Sequence, residues 1–129
     1  MSNEERVALI STDDVEKLML NIRGMNVLLD KDVAMLYGVE TRIVNQAVRN
    51  NPEKFPRGYI LELTSEESSA LRSKFLTLEQ KGRKGRHSKY NIKTFIEKGL
   101  YMLATILKSP RAIAATIAII ETYCILLWK

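Results

Sequence analysis

Arg42, Asn45, Gln46 and Arg49 stand at i, i+3, i+4 and i+7 of one short segment, a spacing that puts all four on a single face of a helix. Their chemistry is that of a nucleic-acid reader. Arginine donates in pairs to guanine or holds phosphate, while asparagine and glutamine offer a donor and an acceptor together to adenine. Ile43, Val44, Ala47 and Val48 make the opposite face. Polar residues across from an apolar stripe also describe any solvated amphipathic helix, so these four do not decide the matter by themselves.

A second constellation strengthens the first. The segment Lys81-Gly-Arg-Lys-Gly-Arg-His-Ser-Lys89 has five cations, Lys81, Arg83, Lys84, Arg86 and Lys89, and no acid. Such a segment cannot bury a core and reads as a cationic loop. Flanked by Leu76-Thr-Leu78 and Tyr90-Asn-Ile92, it could be the tip of a hairpin or wing laid along a phosphate backbone. Phosphate contacts of this kind position a protein, and the helix would have to read sequence. The bland alternative is a solubilising excursion.

Other chemistries find less support. One His and the lone Cys124 leave no disulfide, no paired-cysteine motif and no evident zinc site. Asp13, Asp14, Glu16, Asp30, Asp32 and Glu40 are numerous, but helix capping accounts for several of them. Glu79-Gln-Lys81 has a nuclease-like Glu-x-Lys spacing without a convincing strand, and Gly82-Arg-Lys-Gly85 lacks the apolar flanks of an RNA-clamping loop. Neither a Walker-type loop nor the signature motifs of metalloproteases and serine hydrolases occur. The expectation is a protein that is not an enzyme, with no cofactor and no metal.

The elements that must hold these residues follow from capping and periodicity. Val7-Ala-Leu-Ile10 could add an edge strand or fray. Ser11-Thr-Asp-Asp14 supplies cap candidates for a short helix with Val15, Leu18, Met19 and Ile22 in register. Asn21 to Leu29 could equally be a hairpin turning at Arg23-Gly24-Met25-Asn26. Asp30 can cap a helix that ends at Gly38, and Thr41 can cap the next, which stops at Asn50-Asn-Pro52. Ala34, Gly38 and Val44 have the small residue, turn glycine and branched residue of a helix-turn-helix pair, with Val33, Tyr37, Val39 and Ala47 closing its small core. Tyr59-Ile-Leu-Glu-Leu63 reads as a strand. Thr64-Ser-Glu-Glu67 is a capping box opening a helix with Leu71 and Phe75 on one side, and Thr94-Phe-Ile-Glu97 is a second box. Ser109-Pro110 starts the last helix.

That last segment, Ala112 to Trp128, is apolar nearly all round. With Glu121 near its middle it reads as a core or interface helix and not as a membrane anchor. Ile113, Ile117, Ile120 and Cys124 form one stripe, yet Ile119, Leu126, Leu127 and Trp128 extend beyond it. The excess points to a partner helix and hence a homodimer.

Length and charge frame the whole. The chain has 129 residues, 46% of them apolar and 27% charged, which describes one globular domain with a sizeable core. Its formal net charge of +5 is unevenly spread: residues 1–40 hold four basic and eight acidic residues, and the remainder holds sixteen against seven. A polyanion is the first partner to test. No basic stretch leads into an apolar run at the N-terminus, and the cysteine usage suits a reducing compartment, so the expectation is a cytoplasmic protein.

The residues also resemble a known family. Ile22-Arg-Gly24, Asp30, Asp32-Val-Ala34, Leu36-Tyr-Gly-Val39, Asn45-Gln-Ala-Val-Arg-Asn50, Phe55-Pro56, Leu63-Thr64, Glu67, Leu71-Arg-Ser73, Phe95, Glu97, Gly99 and Met102-Leu103 are similar, in that order, to the phage-associated "open reading frame six N-terminal" domain of the KilA-N-like group. The likeness spans about residues 15–123. Phe95-Ile-Glu-Lys-Gly99 stands for the family's Phe-Thr-Glu-Gln-Gly, and Lys54 replaces the usual Arg before Phe-Pro, keeping the charge without the bidentate fork. The resemblance implies a DNA-binding module of phage or prophage regulators and antirepressor-like proteins.

The combined expectation is an α+β fold: a helix-turn-helix-like pair, a small β-sheet or hairpin and two C-terminal helices. Residues 1–14 form an N-terminal extension and 15–129 the domain. Arg42, Asn45, Gln46 and Arg49 would contact double-stranded DNA from the recognition helix, and Lys81, Arg83, Lys84, Arg86 and Lys89 its phosphates. The rival is a protein-interaction module that binds another regulator through the C-terminal helix.

Overall fold

The computed structural model describes residues 10–79 and 92–128. The expected α+β class is the one formed. Helix α1 (Thr12–Leu18) is capped by Ser11, whose Oγ accepts from the Asp14 amide at 3.1 Å while the Asp14 carboxylate accepts from the Ser11 amide at 3.2 Å. This reciprocal box satisfies two otherwise orphaned donors. The helix stops at Leu18, so Ile22 belongs to a hairpin and not to it. Strands β1 (Leu20–Ile22) and β2 (Met25–Leu29) pair with Ile22 opposite Met25. Their turn is therefore Arg23-Gly24 alone, with Met25 and Asn26 already in strand. Both turn residues have positive φ, 53° and 81°, the backbone of the two-residue turn that matches strand twist.

Arginine is an unusual occupant of a left-handed position, and its side chain explains the choice. Arg23 Nε donates to Glu67 Oε2 at 2.9 Å, and Nη2 donates to Glu67 Oε1 at 2.6 Å and to the Glu62 carbonyl at 2.9 Å. The fork clamps the hairpin onto the start of α4 (Ser65–Glu79). There Thr64 and Glu67 form the expected capping box: the Glu67 amide donates to Thr64 Oγ1, and the Thr64 amide to Glu67 Oε1.

Strand β2 also pairs with β4 (Lys93–Phe95), whose other edge takes β3 (Ile60–Glu62), giving an antiparallel sheet of order β1-β2-β4-β3. Thr94 lies within β4, so it does not cap the following helix. It is fully buried and its hydroxyl donates across the sheet to the Leu61 carbonyl at 2.7 Å. Ile96 takes the cap position of α5 (Glu97–Leu103) with no side-chain bond. The wing expected from Leu76-Thr-Leu78 is likewise not formed on that side, because these residues continue α4. The side chain of Phe75 lies outside the described residues.

Helices α2 (Asp30–Tyr37) and α3 (Thr41–Asn50) form the anticipated pair. Gly38 closes α2 with φ 73°, its amide donating to Met35 O while the Val39 amide reaches Ala34 O; this Schellman closure needs a left-handed residue. Arg111, from α6 (Pro110–Leu127), lies over Gly38 and donates to Met35 O at 3.4 Å. A cation thus meets the carbonyl end of α2. The expected caps fall one residue away: Leu29 and Glu40 occupy the cap positions of α2 and α3, neither with a side-chain bond. Asp30 and Thr41 are instead the first helical residues.

The segment after α3 is a strap. Lys54 Nζ donates to Thr105 Oγ1 at 2.8 Å, and Phe55 meets Phe95 edge-on at 6.5 Å. Lys98 Nζ sits 5.8 Å from the Tyr59 ring centre. Val15, Leu28, Val33, Val44, Phe95, Leu100 and Ile119 bring α1, β2, α2, α3, β4, α5 and α6 into one core.

Helix α6 starts as expected, with Ser109 Oγ accepting from the Ala112 amide and Pro110 in the first turn. Ala112, Ala115, Ala118, Ile119, Thr122 and Tyr123 are its buried residues, and the three alanines leave room for α1 and α2 to approach. Tyr37 and Thr116 share a 3.1 Å hydroxyl bond, and the Tyr123 hydroxyl donates to Asn26 O at 2.6 Å. The stripe Ile113, Ile117, Ile120 and Cys124 points away from this core.

Candidate nucleic-acid interface

The polar face of α3 is divided by its contact with α2. Arg42, Gln46 and Arg49 are exposed, whereas Asn45 is nine-tenths buried. Counting at 3.6 residues per turn, Asn45 lies at the edge of the four-residue face, on the side where α2 packs. There Asp30 receives it: Asn45 Nδ2 donates to Asp30 Oδ2 at 3.1 Å, while Asp30 Oδ1 accepts from the Lys31 amide at 2.8 Å. Asp30 is itself fully buried. The pair ties the first residue of α2 to the middle of α3 and fixes the angle between the helices.

That bond changes what Asn45 can do. A bidentate reading of adenine needs both the amide donor and the amide acceptor. One of the two amide N–H groups is given to Asp30, and Oδ1 is buried with no hydrogen-bond partner among the described residues. In this arrangement Asn45 joins α2 to α3 and is far less exposed than Arg42, Gln46 and Arg49.

Lys31, Thr41, Arg42, Asn45 and Arg49 line one open cleft of about 400 Å³. The sequence pointed to Arg42 and Arg49 but not to Lys31, which α2 brings across to face them. Its only signal was a lysine next to an aspartate at the expected start of the preceding helix. Arg42 Nε pairs with Glu40 at 2.9 Å, both side chains being about seven-tenths exposed. An exposed pair of this kind contributes little and leaves the guanidinium available to a phosphate. Partial burial pushes the Asp32 carboxyl above the usual range; neighbouring Lys31 opposes that shift and Asp30 adds to it. Gln46 is exposed on α3 without lining the cleft. Lys81, Arg83, Lys84, Arg86 and Lys89 lie outside the described residues.

Glycines shape the neighbourhood without contacting a ligand. A side chain at Gly99, buried in α5, would overlap the carbonyl oxygen of Tyr59, which accounts physically for glycine in the Phe95-Ile-Glu-Lys-Gly99 motif. Ala34 and Val44, 2% and 0% exposed, belong to the core that α2 and α3 share.

Residues 17–106, well over half of the chain, match the ORF6N domain. No curated protein and no solved structure matches the chain. The chain belongs to the ORF6N domain family, a phage-type regulatory family.

Proposed function

We propose that this ORF6N-family chain is a non-enzymatic binding module for duplex DNA, with α3 entering the major groove. The observation that carries the reading is the convergence of Lys31, Arg42 and Arg49 on one cleft beside an exposed helix of a helix-turn-helix-like pair. Arg42, Gln46 and Arg49 reach base edges or phosphates, and Lys31 holds phosphate from the neighbouring helix. Asn45 locks the pair through Asp30 and so sets how α3 is presented. The cations of segment 81–89 extend the phosphate contacts.

Duplex titration at two salt concentrations tests this. Affinity should fall steeply with salt, and replacing one phosphate-holding cation, as in Arg49→Ala, should reduce the log–log slope by about 0.9. If Arg42 instead reads a base pairwise, Arg42→Ala should cost about 1–3 kcal/mol on the preferred site and relax specificity at that position. No detectable affinity at low salt, together with a stable heteromeric partner in a pull-down, would favour the antirepressor-like reading, in which the C-terminal helix binds another regulator.

A further inference from the structure

Helix α6 carries two apolar faces, and among the described residues only one of them is covered. Ala112, Ala115, Ala118, Ile119 and Thr122 are buried in the core, where α6 packs on α1 and α2. On the opposite side Ile113, Ile117, Ile120, Cys124 and Leu127 recur at intervals of four, three, four and three residues, the spacing of a heptad seam. Ile113 is 52% exposed, Ile117 53%, Ile120 40% and Leu127 82%. Cys124 is exposed as well. No charged residue interrupts this line, and Glu121 lies at its edge.

Two features select the occupant. A seam of this period meshes with a helix of the same period, because each knob needs a hole framed by four residues of the facing helix; a second α6 supplies one. Size is of the right order: the exposed parts of Ile113, Ile117, Ile120 and Leu127, with Trp128 at the end of the helix, come to roughly 650 Å² before Cys124 is added, approaching the about 800 Å² per partner of a standard stable interface. Pro110–Leu127 is also long and apolar enough to cross a membrane. Its other face, however, is held in the domain, with the Tyr123 hydroxyl on the Asn26 carbonyl.

We infer that α6 joins two copies of this chain through the Ile113-Ile117-Ile120-Cys124-Leu127 seam. The dimer stands on the packing of α6 and does not depend on the DNA reading.

Sedimentation of the 129-residue chain in reducing buffer, from low micromolar to hundreds of micromolar, tests it. The expected mass rises to twice the 14.8 kDa of one chain. The double variant Ile117→Glu/Ile120→Glu should weaken dimerisation by about a hundredfold or more, with the far-UV circular dichroism of the dilute protein unchanged because both side chains are solvent-facing. Glu121→Gln should dimerise like the parent. A single 14.8 kDa species at every concentration overturns the inference, as does a dimer that survives the double variant with its affinity intact. A monomer that co-sediments with phosphatidylcholine–phosphatidylglycerol vesicles also overturns it, in favour of a lipid surface.

Discussion

The Asn45 amide and the Asp30 carboxylate meet at 3.1 Å in a nearly dry contact between α2 and α3, so the character of the site depends on which group donates. Asn45→Asp replaces the donor by a second carboxylate, and two such groups at this distance cannot both ionise cheaply. The pair then takes up a proton in the folded state at a pH where the unfolded chain has lost it. Folded protons in excess mean that stability rises as pH falls. The variant should be less stable than the parent by on the order of 2–4 kcal/mol at pH 7 and recover part of the loss at pH 5, read from urea midpoints. An unchanged midpoint at pH 7 would mean that the pair does not hold the helices together. Glu67 behaves in the opposite sense. The Arg23 guanidinium first, and then the Thr64 amide, hold its carboxyl at about 2 against an ordinary 4.5. A depressed folded value gives stability that is present above the ordinary value and is lost as pH falls from 4.5 towards 2. Thermal midpoints of Glu67→Gln should lie below those of the parent at neutral pH and vary less across that acid range. Neither partnership was legible from spacing alone: Arg23 and Glu67 are 44 residues apart, and Asp30 and Asn45 fifteen.

At the level of elements, Gly99 shows packing reversing an intrinsic preference. Alanine in a helix interior is normally better than glycine by about 1 kcal/mol. Here the new methyl would meet the Tyr59 carbonyl and stand 3.5 Å from the Phe95 ring. Gly99→Ala should therefore destabilise the domain by about 1–3 kcal/mol, the usual range for overpacking, as measured by urea unfolding. A neutral result would mean that the strap carrying Tyr59 yields freely. The same contrast explains which elements could be read in advance. Ser11, Gly38, Thr64 and Ser109 act on atoms within a few residues of themselves, and those signals were visible in the sequence. Thr94 has the same local pattern as Thr64, but its hydroxyl is drawn across the sheet to Leu61, 33 residues away. Asp30 and Thr41 were displaced from their expected cap positions by one residue, Asp30 because its carboxylate serves Asn45. Helix α6 was legible as a helix with surplus apolar surface. Which stripe faced inward was not, because two opposed apolar stripes are equivalent until α1 and α2 choose the one with the small residues.

For the whole molecule, the net charge of +5 matters less than where the cations stand relative to α6. If α3 engages DNA and α6 pairs two chains, each dimer carries two reading helices related by a two-fold axis, and its preferred site should be a pair of similar half-sites. Binding the second half-site is then intramolecular, and tethering of this kind commonly raises apparent affinity by about 10²–10⁴ without any new contact. Selection from a random duplex library should return inverted repeats for the parent chain and isolated half-sites for Ile117→Glu/Ile120→Glu. On a duplex carrying one half-site, the two proteins should bind alike, since neither substitution touches the cleft of Lys31, Arg42 and Arg49. Equal affinity of parent and variant for the full repeat would mean that the two helices do not act together on DNA, even if the dimer forms in solution. Loss of half-site binding on Arg49→Ala, with sedimentation unchanged, would separate the reading surface from the pairing surface.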